Sequence, residues 1–225
     1  VRKTALAGGN VARVHTGDPG LFGAVAEQTR LLDADGIPWE IVPGVSAAFA
    51  AAARAGMALT APGVGQSVII TRLEGRTPVP GAERLRDLAR HGCALAVYLS
   101  ANLVERVQEE LLAAGLPEST PVLVAHRVGQ PEEMLLRARL DQLASEVREH
   151  RLERQTLFLV PPTDHEASPA RGDVDRRSRL YAPDFGHGFR AAETNGPDVP
   201  NDTKRSKGRD ASGSPADPHD HTGGA

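Results

Sequence analysis

The stretch Val14–Gly23, VHTGDPGLFG, decides how the amino-terminal half is read. An apolar run from Asn10 to Thr16 ends in the polar turn Gly17-Asp18-Pro19, and a helix-like segment opens at Leu21. Aspartate caps the orphan amides of a first helical turn, and proline is tolerated at the first helical position because its missing N–H has no intrahelical partner there. As punctuation between a strand and a helix the turn is sufficient. Whether it also holds something depends on what surrounds it.

Working outward, Asn10 to Thr16 reads as a strand and Leu21 to Asp35 as a helix, with Leu21, Val25 and Leu32 on one side and Gly36 as the stop signal. Pro38 to Gly44 reads as a second strand, Ser46 to Gly56 as a small-residue helix and Gln66 to Arg72 as a third strand. This β-α-β-α-β run predicts a mainly parallel sheet. Leu73 to Gly81, LEGRTPVPG, reads as a linker. Alternation then resumes. Ala82 to Arg90 is helical, Ala94 to Ser100 a strand, and Asn102 to Ala114 a helix burying Leu103, Val104, Val107 and Leu111. Pro121 to Arg127 is a strand. EEMLLRARL (Glu132 to Leu140) leads from a strand into a helix whose apolar positions are Leu140, Leu143, Ala144 and Val147, and TLFLVP (Thr156 to Pro161) closes the series. The expected fold class is α/β: domains at 1–72 and 82–162, joined by the linker 73–81, with a cleft between them.

Composition narrows the function. The chain has 225 residues, 40% hydrophobic and 24% charged, with a formal net charge of −3, so no basic excess points to nucleic acid. No apolar run approaches the roughly 18 residues of a membrane span. No secretory h-region opens the sequence, and the single cysteine, Cys93, excludes an internal disulfide framework. These features predict a cytoplasmic protein. Residues 163–225 are rich in Pro, Gly, Asp and Arg and poor in apolar residues, which predicts a disordered tail; its HDH, His219 to His221, reads as a solvated end rather than a metal site.

VPGVSAA, Val42 to Ala48, repeats the design of the opening stretch: an apolar run, a Pro-Gly turn, and Ser46 as a helix cap. Glycine there lets backbone approach a ligand without a Cβ in the way. GxGxxG, GxxxxGK[ST], HExxH, CxxC and GxSxG are all absent in usable positions, and His15, His91, His126 and His150 are scattered. Backbone-lined loops without an evident nucleophile, base or metal suit a transferase whose cosubstrate carries its own leaving group.

The stretch Val11–Ala53 resembles the tetrapyrrole methylases, which use S-adenosylmethionine. IITRLEGRTPVP (Ile69 to Pro80), LAVYLSANLVERVQEEL (Leu95 to Leu111) and VGQPEEMLLRARLDQLASEV (Val128 to Val147) are similar to the branch acting on carbon 11 of precorrin-4 in cobalamin biosynthesis, anaerobic counterparts included. The resemblance covers Val11 to Pro162. It implies methyl transfer to that carbon of precorrin-4 or cobalt-precorrin-4, two α/β domains with the cofactor in the cleft, and a homodimer. It also implies cofactor binding by Thr16, Gly17 and Asp18, by Leu21, by Ser46 and Ala47, by Leu99 in place of a methionine, by Val128 in place of a small residue, and by Thr156. It names no catalytic base and no metal. Arg72, Glu132 and Glu133 are polar groups near the loops that face the linker 73–81, where a solvated surface role accounts for each equally well. The family's first strand and GxGPGDP loop have no counterpart here, so the expectation includes an incomplete first domain. The alternatives are another tetrapyrrole methylase, such as uroporphyrinogen III methyltransferase, and a remnant that only binds.

Overall fold

The computed structural model of the chain describes residues 1–163. Three helices come first: α1 (Arg2–Leu6), α2 (Val25–Ala34) and α3 (Ala47–Arg54). Strand β1 (Val68–Arg72), helix α4 (Leu85–Ala89), strand β2 (Ala94–Tyr98) and helix α5 (Val104–Ala113) follow. The series ends with β3 (Pro121–His126), β4 (Met134–Arg139), α6 (Leu143–Glu149) and β5 (Thr156–Val160).

The strands form one sheet in the order β1-β2-β5-β3-β4. β1 and β2 run parallel, whereas β5 is antiparallel to both β2 and β3, and β4 is antiparallel to β3. The sheet is therefore mixed, and β1 on one side of residues 73–81 pairs directly with β2 on the other.

The period-2 alternation of the strands decides what each face buries. Leu95, Val97, Val122, Val124, Phe158 and Val160 point to one face, where they meet Leu85 of α4, Val104, Val107 and Leu111 of α5, and Leu143 and Val147 of α6. Ala94, Ala96, Leu123, Ala125, Leu157 and Leu159 point to the other, where Ala48, Ala51 and Ala52 of α3 cover them. Small residues on both sides let α3 approach the sheet closely, which is why an alanine-rich segment serves here. Phe158 is fully buried at the centre, and its truncation to alanine costs about 3–5 kcal/mol.

Two expected strands do not form. Residues 10–16 and 38–44 hold no strand, and neither segment belongs to the sheet among the described residues. A ladder requires a hydrogen-bonding neighbour, and apolar pattern alone does not provide one. Their apolar side chains lie at the surface, with Val14 91% and Val42 73% exposed. The expected parallel β-α-β-α-β run is thus reduced to α2, α3 and β1. Helix α2 also begins at Val25 rather than Leu21, because residues 17–23 form turns and Ala24 takes a left-handed conformation (φ 51°) just ahead of it. Gly36 (φ 64°) follows the end of α2 as expected.

The tail expected at 163–225 lies outside the described residues except for Thr163, whose N–H donates to the Gly92 carbonyl at 3.0 Å. No helix among the described residues is long and apolar enough to cross a membrane.

Candidate functional site

Asp18 does not cap a helix. One carboxylate oxygen accepts the N–H of Gly20 at 2.8 Å and the other accepts the N–H of Gly44 at 3.0 Å. The two Pro/Gly turns that the sequence repeats are therefore tied to each other. Their backbones also touch: a Cβ on Gly44 would collide with the Gly17 carbonyl oxygen, and Gly17 itself is left-handed (φ 74°). The amide of Gly44, then that of Gly20, holds the Asp18 carboxyl below the usual carboxylate range.

Ser46 precedes α3 in extended conformation, but its hydroxyl makes no cap hydrogen bond. Instead Ser46 Oγ pairs with the Tyr98 hydroxyl at 2.9 Å, and that hydroxyl accepts the N–H of Ala48, in the first turn of α3, at 2.7 Å. The cap is supplied from the end of β2. The Tyr98 ring also packs against Phe22, with centroids 5.5 Å apart.

These loops open onto a cavity of about 450 Å³. Thr16, Asp18, Leu21, Ser46, Ala47, Leu99, Val128 and Thr156 all line it; Gly17 lies behind the lining, against Val45 and Ser46. Sequence reasoning missed Phe22, Tyr98, Arg127, Gln130 and Gln155, which also line it. The ends of β2 and β3 and the start of β5 share one end of the sheet because β5 runs antiparallel to both, so residues 99, 128 and 156 converge.

Four of the lining residues other than glycine, Phe22, Leu99, Arg127 and Gln155, have left-handed φ values of 47–54°. Each costs about 1–2 kcal/mol relative to ordinary backbone. Such strain persists only where surrounding structure over-determines it, and it gathers at sites that hold something. Arg127 is pinned by its N–H to the Gln155 carbonyl (2.9 Å), by Nε to Gln155 Oε1 (3.1 Å) and by an ion pair with Glu132 (3.3 Å).

Thr156 is buried at the cavity wall. Its hydroxyl lies 3.1 Å from the Arg154 carbonyl, to which it donates, and 2.8 Å from His126 Nδ1, with which it shares a hydrogen bond. Burial, then the neighbouring Arg127, holds the His126 imidazole below the ordinary histidine value, against the Arg154 carbonyl and Glu132.

Arg72, Glu132 and Glu133 are not in the lining. Arg72 donates to the carbonyls of Leu73, Thr77 and Pro78 and so holds the 73–78 loop in shape. Glu133 accepts the N–H of Gly129 (2.6 Å) and pairs with Arg54 at the end of α3.

The chain is 46% identical over 180 residues to a protein of Priestia megaterium named cobalt-precorrin-4 C(11)-methyltransferase, covering 80% of this chain and 69% of that one. Its fold is similar to the X-ray structure of a cobalamin biosynthetic enzyme, cobalt precorrin-4 methyltransferase, with a TM-score of 0.67 and 45% identity over 69% of this chain and 65% of that one. It is also similar to uroporphyrin-III C-methyl transferase from Thermus thermophilus complexed with S-adenyl homocysteine, with a TM-score of 0.52 and 27% identity over 64% of this chain and 62% of that one. Residues 1–144 match the model of the tetrapyrrole (corrin/porphyrin) methylases, and the chain belongs to that family.

Proposed function

We propose that the chain transfers a methyl group from S-adenosylmethionine to carbon 11 of precorrin-4 or cobalt-precorrin-4, in cobalamin biosynthesis. The convergence of the Thr16–Asp18 and Ser46–Ala47 loops with Leu99, Val128 and Thr156 on one cavity carries this reading. The cavity falls within the roughly 300–1,000 Å³ of small-molecule sites. Leu21, Phe22, Leu99 and Val128 offer it apolar surface, and Thr16, Ser46 and Thr156 offer a few hydroxyls. Asp18, kept ionised by two backbone amides, suits a ligand with a cationic centre.

The cosubstrate supplies an activated methyl group on a sulfonium. What remains for the protein is to orient donor and acceptor and to exclude water. The two glycine turns bring backbone close, Ser46 and Thr156 are each held by a second side chain, and Leu21, Phe22, Leu99 and Val128 line the cavity with apolar surface. No side chain in the lining is assigned as a base. Residues from both 1–72 and 82–162 form the walls, which supports a cleft between two α/β portions. A cytoplasmic homodimer completes the proposal, with exposed Val42, Val45 and Phe49 available to a partner.

Calorimetric titration with S-adenosylhomocysteine, followed by label transfer from methyl-labelled cosubstrate, tests this. Binding and transfer to precorrin-4 or its cobalt form are expected. Transfer to uroporphyrinogen III instead would assign a sister activity, and binding without transfer would leave a protein that only binds.

A further inference from the structure

We infer that Tyr98 is a positioning residue whose hydroxyl sets the Ser46–Ala47 wall of the cavity for the cofactor. Three hydrogen-bonded or packed connections fix it. Its carbonyl accepts the buried Ser100 hydroxyl at 2.7 Å, and the same Ser100 oxygen accepts the N–H of Leu73 at 2.9 Å. Its ring lies against Phe22 of the Thr16–Phe22 loop. Its hydroxyl reaches the start of α3, accepting from Ala48 N–H and pairing with Ser46 Oγ.

The first four N–H groups of a helix have no partner within the helix. At α3 the adjacent serine does not meet that need, since its side chain makes no cap hydrogen bond. The phenol on β2 does, from 50 residues away in sequence. One oxygen atom therefore fixes both the direction of the Ser46 hydroxyl and the height of the α3 start above the sheet. Leu99, the next residue, is turned outward by its left-handed backbone (φ 53°) and lines the same cavity. Tyr98 thus joins three of the cavity's walls, and removing its hydroxyl alone leaves the ring contact with Phe22 in place.

The cofactor part of the inference rests on the methyltransferase reading above, so the test has one arm that does not. Tyr98→Phe removes one oxygen. In the unliganded protein, amide exchange at residues 46–49 is expected to rise about tenfold while the strands stay protected, the scale of one cap and one net hydrogen bond. Affinity for S-adenosylhomocysteine is expected to fall about tenfold, with KM for S-adenosylmethionine raised and KM for the tetrapyrrole unchanged. Ser46→Ala, which leaves the Tyr98–Ala48 bond, is expected to show a smaller effect on both arms. Unchanged exchange at 46–49 in Tyr98→Phe overturns the inference. Raised exchange with unchanged S-adenosylhomocysteine affinity also overturns it, because the wall would then be ordered without serving the cofactor. Wild-type protein that binds no S-adenosylhomocysteine overturns the proposed function, while the exchange arm still decides whether Tyr98 sets the wall.

Discussion

The Asp18 carboxylate accepts the N–H of Gly44 at 3.0 Å, across 26 residues of sequence, and so makes one wall out of two turns. Asp18→Asn keeps the shape but offers a single weaker acceptor. We expect it to lower affinity for S-adenosylhomocysteine about tenfold, the scale of losing one charge-assisted hydrogen bond. Because the folded carboxyl titrates below its unfolded value, the contact's contribution is fully present above the ordinary aspartate range. It is lost as pH falls through the depressed folded value. Acid denaturation that begins at higher pH in the wild type than in Asp18→Asn would contradict this.

Gly44→Ala places a methyl group against the Gly17 carbonyl, and neither backbone has room to yield without moving the turn. A loss of about 1–3 kcal/mol is expected, with cofactor affinity falling further than stability. At Gly17 the contacts of an added Cβ are ordinary, 3.4 Å or more, so Gly17→Ala should suffer only the strain of its left-handed φ. Chemical denaturation beside titration separates the two.

Two leucines at opposite ends of β2 should behave oppositely. Leu95 is 1% exposed, and Leu95→Ala should cost about 2–5 kcal/mol. Leu99 is 70% exposed and left-handed, so Leu99→Asn, which tolerates that backbone, should be neutral or stabilising by up to about 1 kcal/mol. A Leu99→Asn protein that melts well below wild type would mean its side chain is held by more than the cavity rim.

His126 should make stability depend on pH near neutrality. The folded imidazole is held below its ordinary value by burial and Arg127, so the unfolded chain takes up the proton first. Stability is fully present above the ordinary histidine value of about 6.5 and declines as pH falls from there toward the depressed folded value. His126→Asn keeps a hydrogen-bonding amide beside Thr156 and should flatten that slope, as read from denaturation midpoints between about pH 8 and 5, a range set by the roughly neutral titration of histidine.

Arg72 holds three carbonyls of the 73–78 loop, within which Arg76 offers a tryptic site. Arg72→Ala should speed trypsin cleavage after Arg76 several-fold while leaving the melting of the sheet nearly unchanged. Arg72→Lys should rescue it only in part, since an ammonium lacks the planar fork that reaches three acceptors.

Much of the fold was legible because it is local. The stripe Val104, Val107 and Leu111, and the near-continuous apolar runs Ala94–Tyr98 and Thr156–Val160, buried on both faces, are set by pattern and burial within one element. The segments at 10–16 and 38–44 misled because a strand is a property of a pair, and apolar alternation says nothing of whether a neighbour is in reach. The turns at Gly17 and Gly44 were legible as a site through their repeated design and a family resemblance, but their direct contact was not. Asp18 looked like a helix cap because aspartate is favoured at that position and proline at the one after it. Tyr98 was invisible for a related reason: its partners Ser46 and Ala48 lie 52 and 50 residues upstream, and nothing local distinguishes it from any tyrosine ending a strand.

The sheet order places β5 between β2 and β3, which meet nowhere else. A chain emerging from the ribosome delivers its early elements first. Without residues 156–160 the strand order leaves two separate pairs, the parallel β1–β2 and the antiparallel β3–β4, each with an unpaired inner edge. The insertion of β5 joins them, buries Phe158 and sets Thr156 in the cavity wall. Completion of the sheet and of the cavity wall therefore depend on the same strand, so a nascent chain stopped short of it would leave the edges of β2 and β3 unpaired and the cavity without its wall at residues 153–157.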